Sequence, residues 1–296
     1  MILRSTLLAV SLVTLLSVDA HAYCRSTTCA GECPRDVDGC KTSGAKLFWP
    51  GMCVGFSMDR AASEHIPLES AREVIQKGFV AWSDLECASG GIATIAFAMQ
   101  PDVDCHVAEY IEGGPNANVI LFQDYKWRYT GTANTLAKTT VTYDTETGEI
   151  FDADIEVNHA YNEYTVGDEN VVYDLQSIAT HEIGHFIGLD HTPDSLATMN
   201  AGYQQGTTEL RSLESDDIDA ACDAYPSTRQ VTCDPRPRGG LAETCGNAQP
   251  EDEGEGCSVA PNEPKGGVVA LAIGVFLLGA ARRRRIEGNQ RYPLRS

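Results

Sequence analysis

The chain contains 296 residues, of which 43% are hydrophobic, and its formal net charge is -20. This composition supports a hydrophobic core in one or two domains, and the excess of acidic residues repels nucleic acid, which is therefore excluded as a partner. No glycine-rich phosphate loop precedes a helix and no internal repeat is present, so nucleotide-binding and repeat-protein classes have no support.

Residues 1–22 have the pattern of a secretory signal peptide. Arg4 precedes an apolar run from Leu7 to Val18, and Ala20-His21-Ala22 has the small-residue form of a cleavage site. An N-terminal membrane anchor is the alternative, but the apolar run is too short to span a bilayer comfortably. We therefore predict cleavage after Ala22 and an exported protein.

Eleven cysteines are consistent with export, because disulfides persist in oxidising compartments. Four of them make residues 23–46 a cysteine-rich N-terminal segment, and six more are spread through the body. With Cys257 set aside, ten cysteines can form five bridges of unknown connectivity. A zinc cluster built on Cys29 and Cys33 is the less favoured alternative, since no matching second pair follows.

From Leu47 the chain has the pattern of a globular domain. A first strand is predicted at Leu47 to Met58, and Pro67 opens a helix with one apolar face. That face consists of Ala71, Val74, Ile75, Phe79 and Trp82. Apolar runs at Ile92 to Met99 and Asn118 to Phe122 are bounded by glycine-rich turns and predict two more strands.

A hairpin is predicted next, from Lys138 to Tyr143 and from Glu149 to Val157. Asp152, Asp154 and Glu156 alternate along its second strand and so share one face. A solvated strand face is the favoured interpretation. A Ca²⁺ site is the alternative, because Ca²⁺ prefers several carboxylate oxygens.

The most informative stretch is His181-Glu182-Ile183-Gly184-His185-Phe186-Ile187-Gly188-Leu189-Asp190-His191. Asp174 is the predicted N-cap of its helix, on which His181 and His185 lie one turn apart on the same face. Gly188 lets the backbone turn, which brings His191 round as a third ligand. Three neutral nitrogens suit Zn²⁺ with an open fourth position, and Glu182 is the candidate general base beside it.

Met199 follows within Ala197-Thr198-Met199-Asn200, where a metzincin Met-turn is expected. Together with the histidine motif, this makes the chain resemble the metzincin zinc endopeptidases, and most closely the matrixin-like family. The resemblance implies an α+β zincin domain: a twisted mixed sheet of about five strands, an active-site helix, a Met-turn and a C-terminal helix. It also implies that Met199 packs beneath the metal without binding it, and that substrate pairs with an edge strand near Lys138 to Tyr143.

The resemblance covers about residues 47–226, which end with a predicted helix from Ser215 that Pro226 terminates. Tyr203 lies four residues after Met199, too far along the chain to serve as the fifth metal ligand found in some metzincins. Residues 227–256 are rich in proline, glycine and acidic residues, which predicts an extended linker closed by at most one bridge.

Residues 257–296 combine Cys257, an apolar run from Gly266 to Ala281 and the cluster Arg282-Arg283-Arg284-Arg285. This order resembles the myxosortase-type C-terminal sorting tags of certain predatory soil bacteria, with a short transmembrane helix that processing machinery removes. A permanent membrane anchor is the alternative. In either case membrane contact is expected only through this tag, and the protein is expected at the bacterial cell surface, in the outer envelope or outside the cell.

The predicted function is that of a zinc-dependent endopeptidase that cleaves protein or peptide substrates. Two alternatives remain: a non-catalytic surface binding or adhesion module on a zincin scaffold, and a zinc amidase acting on cell-wall peptides. The propeptide cysteine switch and the histidine-rich structural-zinc loop of animal matrixins are absent from the sequence. A less favoured hypothesis is latency through a free thiolate from Cys24 to Cys40 that occupies the fourth zinc position.

Overall fold

The computed structural model describes residues 23–129 and 135–246, together with the backbone of one further strand, Val268–Phe276. The strands are β1 Cys24–Arg25, β2 Cys53–Met58, β3 Ala96–Met99, β4 Val119–Phe122, β5 Thr135–Asp144, β6 Ile150–Val157, β7 Tyr164–Thr165, β8 Tyr173–Asp174, β9 Leu189–Asp190 and β10 Val268–Phe276. The helices are α1 Leu68–Ala81, α2 Leu175–Phe186 and α3 Ser215–Ala224, with a short 3₁₀ helix at Glu209–Arg211.

The main sheet has the strand order β10-β5-β6-β4-β2-β3. Strands β3, β2, β4 and β6 run parallel, whereas β5 and β10 are antiparallel to their neighbours. Five of these strands come from the body of the chain. The predicted α+β architecture, a mixed sheet of about five strands with few helices, is therefore confirmed.

Helices α1 and α2 pack together against the sheet through a cluster of aromatic side chains. Phe79 of α1 stacks on Phe56 of β2 at 3.7 Å between ring centroids and contacts Phe186 of α2 at 5.5 Å. Trp82, fully buried just after α1, donates its indole N–H to the carbonyl oxygen of Thr180 at 2.8 Å. The predicted apolar face of α1 is thus the surface that supports α2.

Ten cysteines form five disulfides: Cys24–Cys40, Cys29–Cys33, Cys53–Cys233, Cys87–Cys222 and Cys105–Cys245. The predicted number of bridges is therefore confirmed. The two alternatives for residues 23–46 are wrong, because a cysteine in a disulfide supplies no thiolate to a zinc cluster or to the fourth metal position.

The segment that follows α3 packs against the body of the chain. Cys233 and Cys245 both form bridges to the body, Ala242 is buried, and Asn116 exchanges backbone hydrogen bonds with Gly240 and Ala242. The expectation of an extended linker with at most one bridge was wrong for residues 227–246. Long-range disulfides are the reason, since proline and glycine content alone does not reveal them.

Part of the apolar C-terminal run is a strand and not the predicted transmembrane helix. The backbone of β10 pairs antiparallel with β5, with Val268 opposite Asp144 and Phe276 opposite Thr135. Valine and isoleucine favour strands, and the edge of β5 offers unpaired backbone groups. Within the described part of the chain, no helix has the length and apolar character needed to cross a bilayer. The predicted signal peptide, Cys257 and the arginine cluster lie outside the described residues.

The acidic face of β6 is buried, which corrects the expectation of a solvated face. Asp152, Asp154 and Glu156 are each at most 1% exposed. Asp154 accepts hydrogen bonds from the backbone amides of Val119 and Glu109 at 2.8 and 2.9 Å, and it pairs with Asp152. In the described part of the chain, Oδ1 of Asp152 has no hydrogen-bond partner. Burial raises the pKa of both aspartates well above the usual range, first by desolvation.

We expect Asp152→Asn to stabilise the fold at pH 8 and to have little effect at pH 3. The folded-state pKa of Asp152 lies above the unfolded value of about 3.9. The stability that the protonated form of Asp152 contributes is therefore fully present below the unfolded-state pKa. It is lost as pH rises through the raised folded-state pKa. Asparagine keeps a donor toward Asp154 without ionising, so the free energy of unfolding at pH 8 should increase by about 1–3 kcal/mol.

Urea unfolding of parent and variant from pH 3 to pH 9 measures this effect. Asp144→Asn is the control, because the pKa of Asp144, at the end of β5, is lowered by hydrogen bonds from the backbone amides of Thr147 and Glu146. That variant should show no gain at pH 8. A constant difference between Asp152→Asn and the parent at every pH would contradict the prediction.

Candidate active site

Three histidine side chains converge in the interior. The Nε2 atoms of His181 and His185 lie 3.1 Å apart, those of His181 and His191 3.2 Å, and those of His185 and His191 3.1 Å. Among the residues that the structure describes, this is the one group of three or more His, Cys, Asp or Glu side chains close enough together to hold a metal ion. The calcium alternative at β6 therefore lacks a converging set of carboxylates there.

Helix α2 and the turn after it bring the three rings together. Asp174 caps the helix by accepting a hydrogen bond from the backbone amide of Ser177 at 2.8 Å, as predicted. The helix ends at Phe186, and Gly188 then adopts a φ of +85°, where an added Cβ would lie 2.7 Å from the carbonyl oxygen of Leu47. Only glycine is comfortable in this conformation and at this distance, so the turn that places His191 depends on it.

The second nitrogen of two of the rings is held by a backbone carbonyl group. His181 Nδ1 lies 2.6 Å from the carbonyl oxygen of Thr198, and His185 Nδ1 lies 2.9 Å from that of Leu189. A carbonyl oxygen only accepts, so each Nδ1 carries the proton and each Nε2 presents a lone pair to the centre of the group.

The donor set fits a zinc ion. Burial lowers the pKa of all three histidines, so their imidazoles are neutral. Three neutral lone pairs about 3 Å apart repel one another unless a cation lies between them. Tetrahedral Zn²⁺ with Zn–N distances of about 2.0–2.1 Å requires nitrogens about 3.3 Å apart, close to the separations found here.

Glu182 lies next to this group and has two inequivalent oxygens. The side chain is 0% exposed, and burial raises its pKa to about 8 against the opposing effect of hydrogen bonding to Thr139. Its Oε2 accepts a hydrogen bond from the Thr139 hydroxyl at 2.6 Å, whereas its Oε1 has no hydrogen-bond partner within 23–129 and 135–246. Thr139 was not identified from the sequence, because nothing local links β5 to α2.

The N-terminal segment supports the turn that carries the third histidine. Strand β1 pairs with β9, and the backbone amide of Ser26 donates to the carbonyl oxygen of Gly188 at 3.0 Å. The buried Arg25 guanidinium donates to the carbonyl oxygens of Gly188 and Leu47 and pairs with Asp223 of α3 at 3.0 Å. This structural role was not predicted, since the sequence showed only clustered cysteines there.

The Met-turn is held from both sides. Asp217 of α3 accepts hydrogen bonds from the backbone amides of Thr198 and Met199 at 2.8 and 2.9 Å. An added Cβ on Gly184 would lie 2.1 Å from Met199 Sδ, so the methionine packs directly against the backbone of α2 at this glycine. The Tyr203 hydroxyl accepts a hydrogen bond from the backbone amide of Asp174 and donates one to the carbonyl oxygen of Thr207.

Comparison with known proteins agrees with this architecture. A family model described as Matrixin matches residues 49–226, more than half of the chain. The chain belongs to the matrixin family. Matrixins are zinc metalloendopeptidases, so the chain is a member of a hydrolase family whose catalysis depends on zinc.

Two relatives support the assignment. This matrixin is 27% identical over 185 residues to Matrix metalloproteinase-C of Caenorhabditis elegans, an alignment that covers 60% of the chain and 29% of that protein. It is 39% identical over 75 residues to Metalloendoproteinase 1 of Glycine max, covering 25% of the chain and 24% of that protein. The matched regions thus span less than a third of either relative.

We expect Gly184→Ala to destabilise this matrixin. Alanine in place of an interior helical glycine usually stabilises by about 1 kcal/mol, but here the methyl group would meet the Met199 sulfur. Overpacking should reverse the sign and cost about 1–3 kcal/mol. Thermal unfolding measures the change. Gly51→Ala is the control, because its Cβ would have no neighbour closer than 3.7 Å, and a stabilised Gly184→Ala would contradict the packing described.

Proposed function

We propose that this chain is a zinc-dependent endopeptidase that cleaves protein or peptide substrates, with His181, His185 and His191 as metal ligands and Glu182 as general base. The observation that carries the proposal is the triangle of neutral Nε2 lone pairs beside a buried carboxylate with one unpartnered oxygen. A histidine group that only stabilised the fold would have no use for a buried carboxylate beside it.

The side chains of the chain have separate tasks in this proposal. When bound, Zn²⁺ supplies Lewis acidity, which polarises the scissile carbonyl group and makes water more acidic. Glu182 takes a proton from the attacking water through its free Oε1 and later passes that proton to the departing amine. Burial raises the pKa of the Glu182 carboxylate, which makes it a stronger base for the first of these transfers. Met199 forms an apolar floor beneath the histidines.

The proposed position of the substrate is the outer edge of β5. An extended peptide there would add its backbone to the sheet, as in β-augmentation. The backbone of β10 pairs with the same edge, and Ile273 and Gly274 lie opposite Thr139 and Lys138. Substrate and the C-terminal strand would therefore compete for the same hydrogen-bonding groups.

Export to the cell surface is part of the proposal. Five disulfides in the described residues support an oxidising environment outside the cytoplasm. The signal peptide at 1–22 and the sorting tag at 257–296, with its processing machinery, remain predictions from the sequence.

We expect Glu182→Gln to retain one zinc ion per chain and to lose at least about 100-fold in peptide hydrolysis, because glutamine cannot transfer the proton. Zinc content by atomic absorption and turnover of a fluorogenic peptide library measure the two properties. Glu169→Gln, which changes an exposed glutamate, is the control and should match the parent. Equal turnover in Glu182→Gln and parent would contradict the proposed mechanism, whereas a zinc-loaded parent without turnover would favour a binding module.

We also expect deletion of residues 257–296 to raise kcat/KM several-fold, mainly through a lower KM, because the edge of β5 becomes free. A synthetic peptide of residues 268–276 added to the truncated protein should inhibit it competitively. The control peptide carries proline at alternate positions, which removes the amides needed for strand pairing. Identical KM values for full-length and truncated protein would show that β10 does not occupy the substrate edge.

A further inference from the structure

The side chain of Thr139 connects the middle of β5 to the candidate general base. Its Oγ1 lies 2.6 Å from Glu182 Oε2 and 3.1 Å from the backbone carbonyl oxygen of Glu182. Both residues are 0% exposed, so water does not compete for these groups. A separation of 2.6 Å is typical of a charge-assisted O–H···O⁻ hydrogen bond, and a hydroxyl with one proton therefore donates chiefly to the carboxylate.

This contact makes the two carboxylate oxygens of Glu182 different. Oε2 is occupied by Thr139, whereas Oε1 is buried and has no hydrogen-bond partner among the residues that the structure describes. An unpartnered buried carboxylate oxygen is costly, so it is expected where a substrate or water will supply the missing partner.

We propose that Thr139 is a positioning residue that fixes the orientation of Glu182, so that Oε1 is the oxygen that takes and returns the proton. This inference rests on the proposed endopeptidase function and adds a residue to it. The Thr139 side chain contacts neither metal nor substrate in this role, and it acts only through Glu182.

The neighbouring charged side chain on β5 does not perform this task. Lys138 attracts Glu182 through space, but successive residues of a strand point to opposite faces. Its ammonium group lies 3.5 Å from the centre of the Tyr129 ring and donates to the Thr140 hydroxyl at 3.1 Å. A through-space attraction favours the charge of Glu182 without selecting either oxygen.

The backbone of Thr139 is well placed to hold its hydroxyl still. The residue lies inside a ladder between β6 and β10, opposite Ile155 on one side and Ile273 on the other. Its χ1 is further restricted because threonine is β-branched. The hydroxyl therefore reaches Glu182 from a rigid element.

The test compares Thr139→Val, which keeps the shape but removes the hydroxyl, with Thr139→Ser, which keeps the hydroxyl. We expect Thr139→Val to lower kcat about 10- to 100-fold, the effect of losing one hydrogen bond to a charged group, with KM within about twofold of the parent. Thr139→Ser should recover most of that loss. Zinc content should stay at one ion per chain in every variant.

Thr94→Val is the matched control, since the Thr94 hydroxyl also donates a hydrogen bond, to the backbone carbonyl oxygen of Pro226 at 3.1 Å, and Thr94 lies outside β5. It should leave kcat unchanged. Parental kcat in Thr139→Val would overturn the inference, and so would equal losses in the valine and serine variants accompanied by loss of zinc, because that pattern indicates a structural role only.

Crystal structures of the zinc-loaded parent and variants provide a readout independent of turnover. We expect one orientation of the Glu182 carboxylate in the parent and in Thr139→Ser. In Thr139→Val we expect the carboxylate to be rotated or to adopt two alternate orientations. An unchanged carboxylate in Thr139→Val would overturn the inference. A zinc-loaded parent without peptidase activity would refute the proposed function instead, while the carboxylate orientation would still decide the role of Thr139.

Discussion

The candidate metal site depends on holding three imidazole nitrogens about 3 Å apart. Each ring must be neutral, and two of them are fixed by carbonyl acceptors. Those acceptors come from the Met-turn and from the strand after Gly188, so both segments must keep their positions to within a few tenths of an ångström. Asp217 fixes the first segment and β1 fixes the second. Elements far apart in sequence thus converge on the same short helix.

The sequence was sufficient for the parts of the site that are set by local geometry. The spacing of His181, His185 and His191 follows from the helical repeat and one glycine turn, and Asp174 follows from helix capping. Thr139, Arg25 and Asp217 could not be found in this way. Each acts across 18 or more positions of the chain, on Glu182, on Gly188 and on Met199 respectively. A threonine in a β-branched strand or an aspartate in a first helical turn has ordinary local explanations, so no local pattern marked them.

The errors in the fold prediction have a common physical origin. Alternating carboxylates on β6 normally indicate a solvated face, but β6 lies between β5 and β4, and the backbone near Glu109 covers Asp154. Residues 227–246 were assigned to a linker because of their composition, yet bridges to Cys53 and Cys105 fasten them to the body. In both cases the error comes from a contact between segments far apart in the sequence. The hydrophobic periodicity of one segment contains no information about such a contact.

Strand β5 relates the two proposals to each other. One of its faces presents Thr139 to Glu182, and its outer edge presents backbone groups to β10. A strand that gains or loses a partner along its edge changes in twist and rigidity, and the Thr139 hydroxyl moves with its backbone. In the proposed function, the strand or peptide that pairs with the outer edge of β5 therefore affects the orientation of Glu182 as well as access to it. A peptide paired opposite Thr139 would stiffen the strand that orients Oε1, so that substrate binding itself would help to order the proton-transfer group.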